Sequence, residues 1–191
     1  MKKLALLDFD ETLLATDSTK LFFRYICRSY ISFLWCYYFR NSFEILFLLF
    51  FKDEIPLKKR RLRWVRLHLS RKKLNSFKEV LLVNLNKAVL NKVEEFFDAI
   101  DEVVIVSAGT YEIIKPIADH LNFSLIAKKI SSEEQDSYNF CDKVAKVEYY
   151  YPNSNYVLGI GNSSGDHHML EASESAWLVI RNGHLKNFYD V

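Results

Sequence analysis

Four short apolar runs recur along the chain: Leu4–Leu7, Val103–Val106, Tyr156–Ile160 and Trp177–Ile180. Each is long enough for a strand buried on both faces. Between them lie segments with helical periodicity, at Asn84–Ile100, Tyr111–Leu121, Asp142–Tyr150 and Asp166–Ala172. Strand alternating with helix predicts an open α/β parallel sheet covered by helices on both faces. Ligands of such sheets sit at the carboxyl ends of the strands. Three of the runs end in polar or glycine-rich segments: Asp8-Phe9-Asp10, Ser107-Ala108-Gly109, and Gly161-Asn162-Ser163-Ser164-Gly165-Asp166. These three segments are expected to converge on one rim.

The stretch 18–83 breaks the alternation. It holds long aromatic and aliphatic helical patterns followed by a basic run, with no strand signal. A chain of 191 residues supports one domain with a modest insertion. The expected organisation is therefore a core of 1–17 and 84–191, with 18–83 inserted as an all-helical cap over the rim. Net charge is +2, which argues against general nucleic-acid binding. The charge is uneven, since Leu57–Lys73 carries nine Lys or Arg and no acid. Cys27, Cys36 and Cys141 are far apart and form no metal spacing, which favours reduced thiols in the cytoplasm. The opening Met1–Leu7 resembles the front of a signal peptide, but its apolar run stops at Asp8 and no small-residue cleavage site follows. It is not expected to be an export signal.

The chemistry is concentrated at the rim. Asp8 and Asp10 stand one residue apart just after a buried strand. A carboxylate attacks phosphorus only where something screens it from the phosphate dianion, and Mg²⁺ held by oxygen ligands supplies that screen. A second carboxyl, protonated at working pH, can donate to the leaving oxygen and then activate water. A structural alternative is a strand-end pair that caps a helix or faces solvent.

The order of four segments makes the pattern specific. Asp8-Phe9-Asp10-Glu11-Thr12-Leu13 resembles the DxDxT signature of the haloacid dehalogenase superfamily of phosphohydrolases. Val104–Gly109 resembles that family's second motif, a strand ending in a hydroxyl residue that bonds the phosphoryl group. Lys143 resembles the third, and Gly161–Leu170 the fourth, the acidic metal loop. The resemblance covers the chain outside the 18–83 stretch and implies a Rossmann-like core. It implies Asp8 as nucleophile and Mg²⁺ ligand, and Asp10 as general acid and base with its backbone carbonyl on the metal. It further implies Ser107, Ala108 and Lys143 around the phosphate, with Asn162 and Asp166 on the metal. The second Asp favours phosphoryl transfer over dehalogenation.

Asn162 departs from the pattern, which has Asp there. An amide oxygen can ligate Mg²⁺ but brings no charge. Lys146, one turn beyond Lys143, is the competing candidate for the third motif; Lys143 is preferred because it opens the helix. His167 and His168, adjacent in sequence, point to different sides of a helix and are expected to be structural. The helical insertion resembles the phosphoserine-phosphatase-like branch, in which an acid nine residues after the nucleophile contacts a substrate amine. Asp17 holds that position and equally suits a helix N-cap.

In the segment Ser29–Phe51, Arg40 and Glu44 interrupt the apolar run, so two shorter helices are expected rather than a membrane span. They suit a packed cap core or a homodimer interface. The alternative, with the basic run, is a peripheral contact with anionic lipid at the inner membrane face. The expected function is a Mg²⁺-dependent phosphatase acting on a small phosphorylated metabolite, such as phosphoserine or an amino-alcohol phosphate. Alternatives are a lipid-phosphate phosphatase, a phosphotransferase and a non-catalytic binding protein.

Overall fold

The computed structural model describes residues 1–29, 71–129 and 143–190. Most of the apolar and basic cap segments, the polar Ser131–Asn139 stretch, Cys36 and Cys141 lie outside the described residues. So do the expectations of a membrane or dimer contact that rest on residues 30–70. Among the described residues no helix is long and apolar enough to cross a membrane.

Six strands form one sheet in the order β3-β2-β1-β4-β5-β6. They are β1 (Lys3–Leu7), β2 (Glu102–Thr110), β3 (Ser124–Lys128), β4 (Asn155–Gly161), β5 (Ser175–Val179) and β6 (Leu185–Asn187). All neighbours run parallel except β6, which is antiparallel to β5. Among the described residues six α-helices accompany them: α1 (Ser18–Ser29), α2 (Arg71–Val83), α3 (Lys87–Glu94), α4 (Tyr111–Leu121), α5 (Lys143–Tyr150) and α6 (His167–Glu171).

Strand alternation divides the core. Ala5, Leu7, Val103 and Ile105 join Ile113, Ile114 and Ile117 of α4 on one face. Leu4, Leu6, Val104 and Val106 join Val147 of α5 and Met169 of α6 on the other. Burying one such aliphatic side chain contributes about 1.5–3 kcal/mol, so β1, apolar on both faces, is fixed at the centre of the sheet. Phe22 of α1 and Phe77 of α2 meet edge-on at 5.0 Å and share the first cluster with Phe9 and Leu13.

The expected helix over Asn84–Ile100 is shorter. Leu85 bridges back to Leu14, Asn86 donates its backbone N–H to the Leu13 carbonyl at 2.9 Å, and Ala15 donates to that of Asn84 at 3.0 Å. This pairing draws residues 84–86 out of helical geometry, so α3 starts only at Lys87, with Asn86 as its N-cap. The strap also holds together the two points where the 18–83 stretch leaves and rejoins the sheet. β3 and β6 had no sequence expectation. Both are short edge strands with mostly half-buried side chains and no continuous apolar run.

Candidate active site

Strand order reverses between β1 and β4, the position at which an open α/β sheet leaves a crevice beyond its carboxyl ends. Asp8 follows β1 and Asn162 follows β4, so the chain's polar loops open on that crevice. The Asp8 backbone N–H donates to the Ile160 carbonyl at 2.9 Å, stitching the two strands just below the site.

Lys143 begins α5, and its ammonium lies 2.5 Å from Asp8 Oδ1 and 2.5 Å from Asp166 Oδ1. The three side chains are 6%, 9% and 1% exposed, for Lys143, Asp8 and Asp166 respectively. Burial alone would discharge Lys143, but the carboxylates of Asp8 and Asp166 outweigh it and raise its pKa. Burial pushes the Asp8 carboxyl up, and Lys143 and the Thr12 hydroxyl pull it back without cancelling that rise. For Asp166 burial also acts upward, yet Lys143 and the loop amides prevail and hold it low.

Asp166 has little capacity left. Its Oδ2 accepts the backbone N–H of Asn162 at 3.0 Å, that of Ser163 at 3.0 Å, and the Ser163 hydroxyl at 2.9 Å. A side chain at Gly161 would place its Cβ 2.5 Å from Asp166 Cβ, so glycine is needed for the loop to fold back. The acidic loop is therefore wound around Asp166, and the Asn162 side chain is left without a hydrogen-bond partner among the described residues.

Asp10 faces the β2 side. Its Oδ1 accepts the Ser18 backbone N–H at 2.6 Å. A methyl placed on Gly109 would lie 2.9 Å from Asp10 Oδ2 and 3.1 Å from Ser107 Oγ, so both groups border the same small space. Burial raises the Asp10 pKa from 3.8 to about 7 against the opposing Ser18 bonds. Ser107 is buried, and its hydroxyl accepts the Gly109 N–H at 3.0 Å. The β2 register breaks between Ser107 and Thr110, which leaves Ala108 exposed at the strand end.

Asp17 is used as a helix cap: its Oδ1 accepts the Lys20 N–H at 2.7 Å, and Lys20 Nζ lies 3.6 Å from its Oδ2. His167 packs its ring edge-on against Phe188. Sequence reasoning gave no role to Thr12, whose buried hydroxyl donates to Asp8 Oδ2 at 2.9 Å. Its spacing four residues after Asp8 was the available signal. Ser163 and Gly109 were likewise unassigned; only the close packing around them reveals what they do.

Among the described residues, no three His, Cys, Asp or Glu side chains cluster as a ready-made metal site. The donors that Asp8, the Asp10 backbone carbonyl and the Asn162 side-chain amide can offer are nonetheless all oxygens. That set fits a hard divalent cation that keeps several of its waters. Asp166, saturated by its own loop, fits as a ligand only through water.

Comparisons with known proteins agree with this architecture. The sequence profile of the haloacid dehalogenase-like hydrolases matches residues 5–171. No curated protein sequence gives a significant match. Among solved structures, a protein of unknown function from Bordetella pertussis Tohama I superimposes with a TM-score of 0.66 at 18% identity, covering 90% of this chain and 87% of its own. A phosphoserine phosphohydrolase-like protein from Francisella tularensis subsp. tularensis SCHU S4 gives 0.55 at 21% identity, covering 90% and 82%. A phosphoserine phosphatase in its apo form gives 0.57 at 15% identity, covering 92% and 85%. These likenesses are of fold, and the profile match spans both carboxylate loops. The chain belongs to the haloacid dehalogenase-like hydrolase family.

Proposed function

We propose that the protein is a cytoplasmic Mg²⁺-dependent phosphatase that hydrolyses a small phosphate monoester through an aspartyl-phosphate on Asp8. One observation carries the reading: a buried ammonium clamps the Asp8 carboxylate, while the second carboxyl, two residues on, accepts only the Ser18 backbone N–H and no described cation pairs with it. A nucleophile and a proton donor need different environments, and Asp8 and Asp10 have them.

In the first step an Asp8 carboxylate oxygen bonds to phosphorus as the ester P–O bond breaks, and Asp10 gives its proton to the leaving alcohol. In the second, Asp10 takes a proton from water, which attacks phosphorus, frees phosphate and restores Asp8. Lys143 and the Ser107 hydroxyl hold the transferring group, with the exposed backbone at Ala108 beside them, and their charge is in place before the reaction begins. Mg²⁺, held by Asp8, the Asp10 carbonyl and Asn162, would screen charge between nucleophile and phosphate. Asp166 supports this set by shaping the loop and fixing Lys143, and would contribute to holding the ion through water.

The division into a core of 1–17 and 84–191 and a helical cap of 18–83 belongs to the same proposal. It is supported by the strap at Leu13–Ala15 and Asn84–Asn86. Asp17, already capping α1, offers a substrate amine only the remaining capacity of its carboxylate. The test is phosphate release with and without Mg²⁺ from amino-alcohol phosphates, sugar phosphates and one lipid phosphate. Turnover of at least one ester is expected, and Asp8→Asn is expected to abolish it while the circular dichroism spectrum persists. Wild-type-like turnover by Asp8→Asn would remove the mechanism.

A further inference from the structure

An open groove of about 700 Å³ adjoins the loop after β4. Glu11 after β1, Lys87 at the start of α3, Asn162 after β4 and Arg181 after β5 meet on it. Asn86, nearly buried, fixes one wall. It donates through Nδ2 to the Gly183 carbonyl at 3.1 Å and accepts the Ala88 N–H at 3.1 Å, which ties the start of α3 to the turn after β5. Lys87 and Arg181 are exposed, and neither makes an ion pair or side-chain hydrogen bond with another described residue.

Glu11 is held in the left-handed region at φ 60, which non-glycine residues rarely adopt. Its backbone N–H donates to the Thr16 carbonyl at 3.4 Å. Its side chain is exposed and forms no hydrogen bond or ion pair among the described residues. Glycine would take up this backbone at lower cost, so nothing local accounts for a carboxylate here. Two features tie that carboxylate to the oxygens assigned to Mg²⁺. The Asp10 carbonyl and the Glu11 nitrogen belong to one planar peptide unit, so the Glu11 side chain begins beside any ion that the carbonyl holds. Glu11 also borders the same open space as Asn162, the assigned ligand that brings an oxygen without a charge.

Resting on the phosphatase reading, we infer that Glu11 supplies, through a bound water, the negative charge that Asn162 does not bring to the Mg²⁺ site. Mg²⁺ gives up its waters reluctantly and keeps several of them in protein sites. A carboxylate that accepts a hydrogen bond from such a water strengthens the site without becoming a ligand. Lys87 and Arg181 oppose a cation in the same groove, and Glu11 offsets one of their two charges.

The experiment is calorimetric titration of the full chain with Mg²⁺ alone, without substrate. Glu11→Gln is expected to weaken binding about fivefold, the size of one exposed charge acting on a divalent ion across a water. Glu11→Gly should bind as weakly as Glu11→Gln while melting no lower than wild type, which separates lost charge from lost fold. In Glu11→Gln/Asn162→Asp, where the charge returns on the ligand itself, wild-type affinity or better should be recovered. Wild-type affinity in Glu11→Gln or in Glu11→Gly overturns the inference, as does a double variant no tighter than Glu11→Gln. Mg²⁺-dependent turnover of p-nitrophenyl phosphate by the wild type would then leave the phosphatase reading standing. A wild type that neither binds Mg²⁺ nor turns over this ester removes both.

Discussion

The Lys143 cluster and the Arg181 groove are neighbours on one rim, yet they handle charge in opposite ways. In the cluster, every charged group is buried and each oxygen of Asp8 and Asp166 has a partner. In the groove, Lys87 and Arg181 stand exposed with no described partner. Charges that must act on any phosphate can be fixed and dry, where water does not weaken them. Substitutions in the cluster should therefore cost fold and turnover together, whereas those of the exposed cations in the groove should cost little stability.

The largest break in this contrast comes from Lys143→Ala. It leaves Asp8 and Asp166 buried without a counter-charge, and losing one partner of a buried ion pair costs about 3–5 kcal/mol. Chemical denaturation should show a loss of that size together with abolished phosphate release. Lys146→Ala, one turn on and exposed, should change neither measurably. Equal stability of Lys143→Ala and wild type would mean that the cluster is not sealed.

Asp10→Asn separates fold from function. Between pH 3.8 and about 7 the folded protein keeps a proton on Asp10 that the unfolded chain has lost. Stability therefore falls as pH rises through that window, and the penalty is complete above it. A rise from 3.8 to about 7 corresponds to about 4 kcal/mol, but Asp10 is only partly buried, so about 1–2 kcal/mol is expected. Asp10→Asn, which keeps an oxygen for the Ser18 amide, should be more stable than wild type at pH 8 and nearly equal at pH 4. Turnover should fall about 10²–10⁴-fold. Denaturation curves at the two pH values with the same or opposite order would refute the burial argument.

Gly109→Ala probes the same corner sterically. The added methyl meets Asp10 Oδ2 at 2.9 Å and Ile114 Cδ1 at 3.0 Å, so one of them must move. Overpacking of this kind typically costs about 1–3 kcal/mol, and a displaced acid should lower kcat more than it raises KM. Unchanged kcat would show that Asp10 has slack.

How much of this could be read in the sequence depended on the range of the interaction. β1, β2, β4 and β5 each carry an apolar run, and the rim they define followed from period and order alone. β3 and β6 are edge strands whose half-polar faces carry no such run, and their pairing depends on neighbours distant in sequence. In the site, Asp8, Asp10, Lys143 and Asp166 stood out through motif order. That Lys143 bridges two carboxylates 135 and 23 residues away is a tertiary fact. So is Asn86, which reads as an ordinary polar residue until it is seen tying α3 to Gly183 across 97 residues. The saturation of Asp166 was equally hidden, because a sequence shows a carboxylate and not how many donors surround it.

Asn162 belongs to both regions: its backbone N–H binds Asp166 in the cluster, and its residue lines the groove. Asn162→Asp should therefore give the smallest and most informative change. A carboxylate there adds a full negative charge to the oxygens facing the crevice, and calcium and magnesium sites gain affinity with ligand charge. Mg²⁺ affinity measured by calorimetry without substrate should rise about tenfold, or about 1.4 kcal/mol. Without Mg²⁺ the new charge faces Asp8 and Asp166, so the variant should melt slightly below wild type, and saturating Mg²⁺ should reverse that order by mass action. Unchanged Mg²⁺ affinity would show that Asn162 does not serve the ion.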